Sequence, residues 1–197
     1  MILYILKNAH SSLEWYAERL PESQNAVNWT VWREPWNRFV SGIWTDVVGK
    51  QKLDKPATKN YSVDELTTKI MDKDWLHKQM EGDGHQSLFY NAGHMMSQWN
   101  YLTKECHRRK LKDGYVRIYN SVKTATKIHF KIKAPHKVNV SPPDVIKRIR
   151  STILPFKKQI VETYLQQDYE IWEQLDPVLP SYKPFITVPV DKIRKDI

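Results

Sequence analysis

The chain opens on an unbroken apolar run, Met1 to Leu6, which gives way to the polar stretch Lys7-Asn8-Ala9-His10-Ser11-Ser12 and then to apolar positions at helical spacing from Leu13. A short apolar run bounded by a polar loop predicts a buried strand over 2–6, and the spacing beyond it predicts a helix over 11–20 that Pro21 ends. Residues 26–32, rich in Val, Trp and Thr, read as a second strand. Two strands separated by one helix in so short a span suggest a parallel βαβ unit. Pro35 suits the first turn of the next helix, where a missing N–H costs nothing. Phe39, Val40, Ile43 and Trp44 continue that helix at helical spacing.

Residues 49–61 are aperiodic, carry Lys and Pro, and read as a surface loop. Ser62-Val63-Asp64-Glu65 has the form of a capping box and starts a helix toward Met80, followed by a turn at Glu81-Gly82-Asp83-Gly84. Met95, Met96, Trp99 and Leu102 have helical spacing in a segment ended by Gly114, and Tyr115 to Tyr119 alternates as a strand does. After Pro142-Pro143, apolar positions from Val145 to Leu165 predict one or two helices reaching about Leu175. The tail from Pro177, with four prolines, predicts a surface wrap.

With 197 residues, 41% of them hydrophobic, and neither an internal repeat nor a low-complexity tract, the whole of 1–197 reads as one domain with a substantial core. The formal charge of +9 implies an anionic partner: nucleic acid, a phosphorylated or sulfated small molecule, an acidic polysaccharide or a membrane surface. Eight Trp and ten Tyr fill a core or stack on bases and sugars. Cys106 is the single cysteine, which excludes an internal disulfide and a multi-thiolate zinc site and fits a reducing cytoplasm. The opening apolar run is too short for a signal peptide or a membrane span.

Two stretches carry candidate chemistry. A lysine at a strand end, followed by a loop and a helix start bearing hydroxyls, suits an anion: helix N-termini offer unpaired N–H groups and positive potential. Lys7, Ser11 and Ser12 have that arrangement, and a solvated lysine with Ser11 as an N-cap satisfies the same pattern. The loop lacks both glycines of the Walker motif, so a nucleoside triphosphatase is disfavoured. In the second stretch, Arg33 lies at a strand's carboxyl end, and Arg38 and Ser41 are three apart on one helical face. They could converge on a second phosphate, or form a solvated basic turn.

Together these stretches resemble the sulfotransferases that use 3′-phosphoadenosine-5′-phosphosulfate, in particular the carbohydrate branch. Lys7-Asn8-Ala9-His10-Ser11-Ser12 matches that family's 5′-phosphosulfate loop. Arg33, Pro35, Arg38 and Ser41 match its 3′-phosphate element, Arg-x-Pro-x-x-Arg-x-x-Ser. Weaker similarities follow in the family's order: His94-Met95-Met96-Ser97-Gln98 before a middle helix, Tyr115 to Asn120 as a later strand, and Tyr164 to Trp172, containing Asp168, as a closing helix.

The resemblance implies an α/β, P-loop-like three-layer fold with a short central parallel β-sheet flanked by helices. It implies transfer of a sulfuryl group from the sulfated nucleotide to a hydroxyl or amine, with a saccharide as the expected acceptor. Lys7 and the loop N–H groups would stabilise charge on the leaving phosphate, Ser11 and Ser12 would hold the 5′-phosphate, and Arg33 and Ser41 the 3′-phosphate with Arg38 in support. No metal is required. For the general base, His94 is favoured by its context, then His10 by its nearness to Lys7, then His85; Glu14 and Glu34 are carboxylate alternatives. His10 departs from the family, which has a small residue there. A chain without anchor or stem is expected in the cytoplasm, with neither membrane nor nucleic acid as partner. Rival readings are a basic nucleic-acid-binding module and a nucleotide-binding homologue without turnover.

Overall fold

A computed structural model describes residues 1–3, 5, 10–19, 27–48, 62–81, 94–131 and 142–195, with only the backbone described at 10–12, 14, 16 and 81. In chain order the elements are α1 (His10–Arg19), β1 (Asn28–Val31), α2 (Pro35–Ile43) running on into a π-helical turn (Trp44–Val48), α3 (Leu66–Met71), α4 (Lys73–Glu81) and α5 (Gln98–Arg108). There follow β2 (Tyr115–Tyr119), α6 (Val122–His129), α7 (Pro143–Ile153), a 3₁₀ turn (Leu154–Phe156), α8 (Lys157–Ile160), a second π turn (Val161–Leu165), α9 (Gln166–Leu175), β3 (Phe185–Pro189) and α10 (Val190–Arg194). Contacts group the chain into two compact units: residues 1–34, 98–140 and 167–197 form the first, and 35–97 with 141–166 the second.

The first unit holds a mixed α/β arrangement around one three-stranded sheet in the order β1-β2-β3. β1 and β2 are parallel, with Trp29 beside Arg117 and Val31 beside Tyr119. Ile2 adds a single parallel bridge to Trp29, whose main chain bonds Met1 and Leu3 on either side of it. This is the first βαβ step that the sequence predicts, although the expected strand over 2–6 is present among the described residues only as that bridge. One sheet face presents Trp29, Val31, Tyr119 and Phe185 to Leu13 and Trp15 of α1 and Val122 and Ala125 of α6. Each such large side chain removed from water contributes roughly 1.5–3 kcal/mol.

The sheet is not wholly parallel, because β3 runs antiparallel to β2. It comes from the tail that the prolines mark as a surface wrap, and it fits between two of them, beginning just after Pro184 and ending on Pro189. Proline is tolerated at strand ends and on edges, and Ile186 and Val188 are buried while Thr187 is exposed, the alternation of a half-buried strand. α10 continues this tail and packs on α5, with the Thr103 hydroxyl donating to the Ile193 carbonyl at 3.2 Å. α6, which the sequence reading passed over, starts on Ser121, whose hydroxyl accepts the Thr124 N–H at 3.2 Å.

The second unit is helical. Its centre is α2, in which every residue but Asn37 is buried, packed against α7. The capping box forms as expected: Ser62 Oγ accepts the Glu65 N–H at 3.2 Å and the Glu65 carboxylate accepts the Ser62 N–H at 2.8 Å. The predicted helix toward Met80 is nevertheless split at Asp72. Extended backbone there ends α3, and its carboxylate accepts the Trp75 N–H at 3.0 Å to start α4. The loop predicted at 49–61 and the turn at 82–84 lie outside the described residues.

Candidate functional site

Within the first unit, the carboxyl end of β1 is held by a dense polar network. The Gln98 side chain clamps the Arg33 main chain from both sides: its Oε1 accepts the Arg33 N–H and its Nε2 donates to the Arg33 carbonyl, each at 3.0 Å. Gln98 is in turn fixed by Asp168, a buried carboxylate whose two oxygens accept the N–H groups of Gln98 and Trp99 at 2.7 and 2.9 Å. That bond pair starts α5 at Gln98, so Met95 and Met96, which share its apolar spacing, lie before the helix and outside it. The Asp168 carbonyl accepts the Trp32 indole N–H at 3.2 Å, and the Tyr169 hydroxyl donates to the Glu34 carboxylate at 2.6 Å. The Arg33 main chain is therefore held at both its N–H and its carbonyl. Burial pushes the Arg33 guanidinium below its ordinary value, with neighbouring Glu34 opposing that shift.

Within the second unit, Arg38 and Ser41 are carried into the interior by buried α2. Arg38 donates through Nη1 to the Met96 carbonyl, which ties the bend at 94–96 to the helix. The approach is close enough to require glycine at 42: a Cβ there would lie 2.3 Å from the His94 carbonyl oxygen. One turn further, Asp46 holds His94 twice. Its Oδ2 accepts the His94 main-chain N–H at 3.0 Å, and its Oδ1 lies 2.5 Å from the ring Nδ1. The carboxylate is nearly enclosed, with 5% of its side chain exposed, whereas the imidazole retains 28%. Among the described residues, nothing is bonded to Nε2 of His94.

The predicted site residues divide accordingly. Lys7, Asn8 and Ala9 lie outside the described residues, as do His85 and His136. His10 opens α1, so Ser11 and Ser12 fall in its first turn, which holds no acidic residue; only their backbone is described. Arg33 belongs to the first unit, and Arg38, Ser41 and His94 to the second. Of the other histidines, His129 is buried between Trp29 and Tyr119, and His77 and His107 are exposed. Glu34 is engaged by Tyr169. Asp46 was missed by the sequence reading: it is 48 residues from His94, and no local pattern links them.

Among the described residues no group of three or more His, Cys, Asp or Glu side chains is placed to hold a metal ion, and no helix is long and apolar enough to cross a membrane. No protein-family model, curated protein or solved structure matches the chain.

Proposed function

We propose that this protein is a sulfotransferase that uses 3′-phosphoadenosine-5′-phosphosulfate and sulfates a hydroxyl or amine, with a saccharide as acceptor, on a P-loop-like α/β scaffold. The observation that carries this reading is the meeting of three sequence stretches that separately resemble that family. Trp32-Arg33-Glu34, Gln98 and Asp168-Tyr169 form one hydrogen-bonded network at the carboxyl end of β1. Ligands of open α/β sheets bind beyond such strand ends.

By the motifs they match, Lys7, Ser11 and Ser12 would take the 5′-phosphate of the donor and Arg33 and Ser41 its 3′-phosphate. Within the first unit, Arg33 is partly desolvated and the start of α1 carries main-chain N–H groups suited to an anion. Arg38 serves from behind, holding the 94–96 bend. The donor supplies an activated sulfuryl group, whose sulfur–oxygen bond to the 5′-phosphate breaks as a bond to the acceptor oxygen forms, leaving adenosine 3′,5′-bisphosphate. Lys7 neutralises the charge that gathers on the departing phosphate oxygen. His94 takes the acceptor's proton on Nε2, as a general base within reach of solvent.

The test is thermal stabilisation by adenosine 3′,5′-bisphosphate, compared with ATP and duplex DNA. A bisphosphate present at 100 times its dissociation constant stabilises the fold by about 2.7 kcal/mol, which raises the midpoint of a chain this size by about 5–11 °C. The expected result is that rise for the bisphosphate alone, lost in Arg33→Ala and Ser41→Ala. An equal or larger rise with DNA, unaffected by those substitutions, favours the basic nucleic-acid-binding module instead.

A further inference from the structure

The contact between Asp46 and His94 contains more than a structural tie. An ionised carboxylate only accepts hydrogen bonds, so the hydrogen in the 2.5 Å contact between Oδ1 and Nδ1 sits on the imidazole, and Nε2 is the ring atom left with a lone pair. The second carboxylate oxygen accepts the His94 main-chain N–H, which fixes the backbone as well as the ring. No other described charged group is hydrogen-bonded or ion-paired to this imidazole. The π-helical turn at Trp44–Val48 is what carries Asp46, on the same continuous helical segment as Arg38 and Ser41.

Building on the role proposed above for His94, we infer that Asp46 is the positioning residue of the proton acceptor: it fixes His94 as the Nδ1–H tautomer with Nε2 basic. It then stabilises the imidazolium formed when Nε2 receives the proton of the acceptor's O–H, as that oxygen bonds to sulfur. Asn in its place has one acceptor oxygen for two donors. Its amide NH₂ can donate to Nδ1, which moves the ring hydrogen to Nε2 and removes the base while keeping the shape.

The experiment combines long-range nitrogen–proton NMR of the histidine rings, assigned with His94→Ala, and steady-state kinetics with the sulfated nucleotide donor and a panel of mono- and disaccharides. The wild-type ring is expected as Nδ1–H and the Asp46→Asn ring as Nε2–H. In Asp46→Asn, kcat falls by about 10²–10⁴-fold while the donor KM stays within about threefold. Asp46→Glu, which keeps the carboxylate, retains the wild-type tautomer and part of the rate, and covers the case in which Asp46→Asn fails to fold. An Nε2–H tautomer in the wild type, or an unchanged kcat in Asp46→Asn once its tautomer has reversed, overturns the inference. Absence of transfer to every acceptor counts against the sulfotransferase reading, and the NMR spectra then decide the role of Asp46 by themselves.

Discussion

Gly42→Ala is the most discriminating structural perturbation of the second unit. In an ordinary helix interior the change is favourable by about 1 kcal/mol, because alanine loses less backbone entropy on folding. Here the new methyl carbon would stand 2.3 Å from the His94 carbonyl oxygen, 2.6 Å from its carbon and 2.9 Å from the Met95 nitrogen, against an ordinary contact of 3.4 Å or more. All three atoms are backbone, so no side chain can swing aside; either α2 or the 94–95 segment must retreat by about 1 Å. A clash with three backbone atoms belongs at the upper end of the cost of overpacking, about 2–3 kcal/mol, which exceeds the propensity gain. The expected net loss is about 1–2 kcal/mol, a fall of about 2–8 °C in the thermal midpoint for a chain of this size. The same retreat pulls His94 from Asp46, whose two bonds at 2.5 and 3.0 Å tolerate little displacement. Differential scanning calorimetry and the histidine-ring NMR spectra measure both effects. A variant as stable as the wild type, with the His94 ring unchanged, refutes the close approach of α2 to this segment.

Asp168→Ala removes the two acceptors that start α5, and with two buried N–H groups stranded it costs about 3 kcal/mol, read as a fall of about 6–12 °C in midpoint; a fall under 2 °C contradicts the capping role. Cys106 is buried, and burial first, with Glu105 adding, pushes its thiol up to about 12 from 9.0, so an aromatic disulfide reagent at neutral pH should label it only on unfolding. Because the folded value is raised, the thiol's contribution to stability is intact below the unfolded value and lost as pH climbs from about 9 toward 12. Cys106→Ala should flatten that alkaline decline, and a thiol that reacts readily in the native protein contradicts its burial.

Sequence patterning was strongest where one local rule decides the outcome. The capping box at Ser62 and Glu65, Pro35 at the start of α2 and the alternation of Tyr115 to Tyr119 each found their element. It failed where long-range partners decide. Asp168, 70 residues away, sets where α5 begins, so the periodicity of Met95 and Met96 misplaced that boundary. Pro184 and Pro189 mark breaks, yet the five residues from Phe185 to Pro189 find an edge to pair with on β2. Of the candidate site, His94 was singled out from its sequence neighbours as a candidate base, whereas its contact with Asp46 needed the fold to bring the two into reach. Arg38, given a supporting role by its motif position, is buried and donates to the Met96 carbonyl.

The measurement that bears most directly on the central claim is sulfuryl transfer itself: purified protein, the labelled sulfated nucleotide and a saccharide acceptor panel, with release of adenosine 3′,5′-bisphosphate followed alongside labelled product. Product is expected in step with bisphosphate release, abolished in Lys7→Ala and reduced in His94→Ala by about 10²–10⁴-fold. Tight bisphosphate binding with no product across the panel, or turnover that Lys7→Ala leaves unchanged, contradicts that claim.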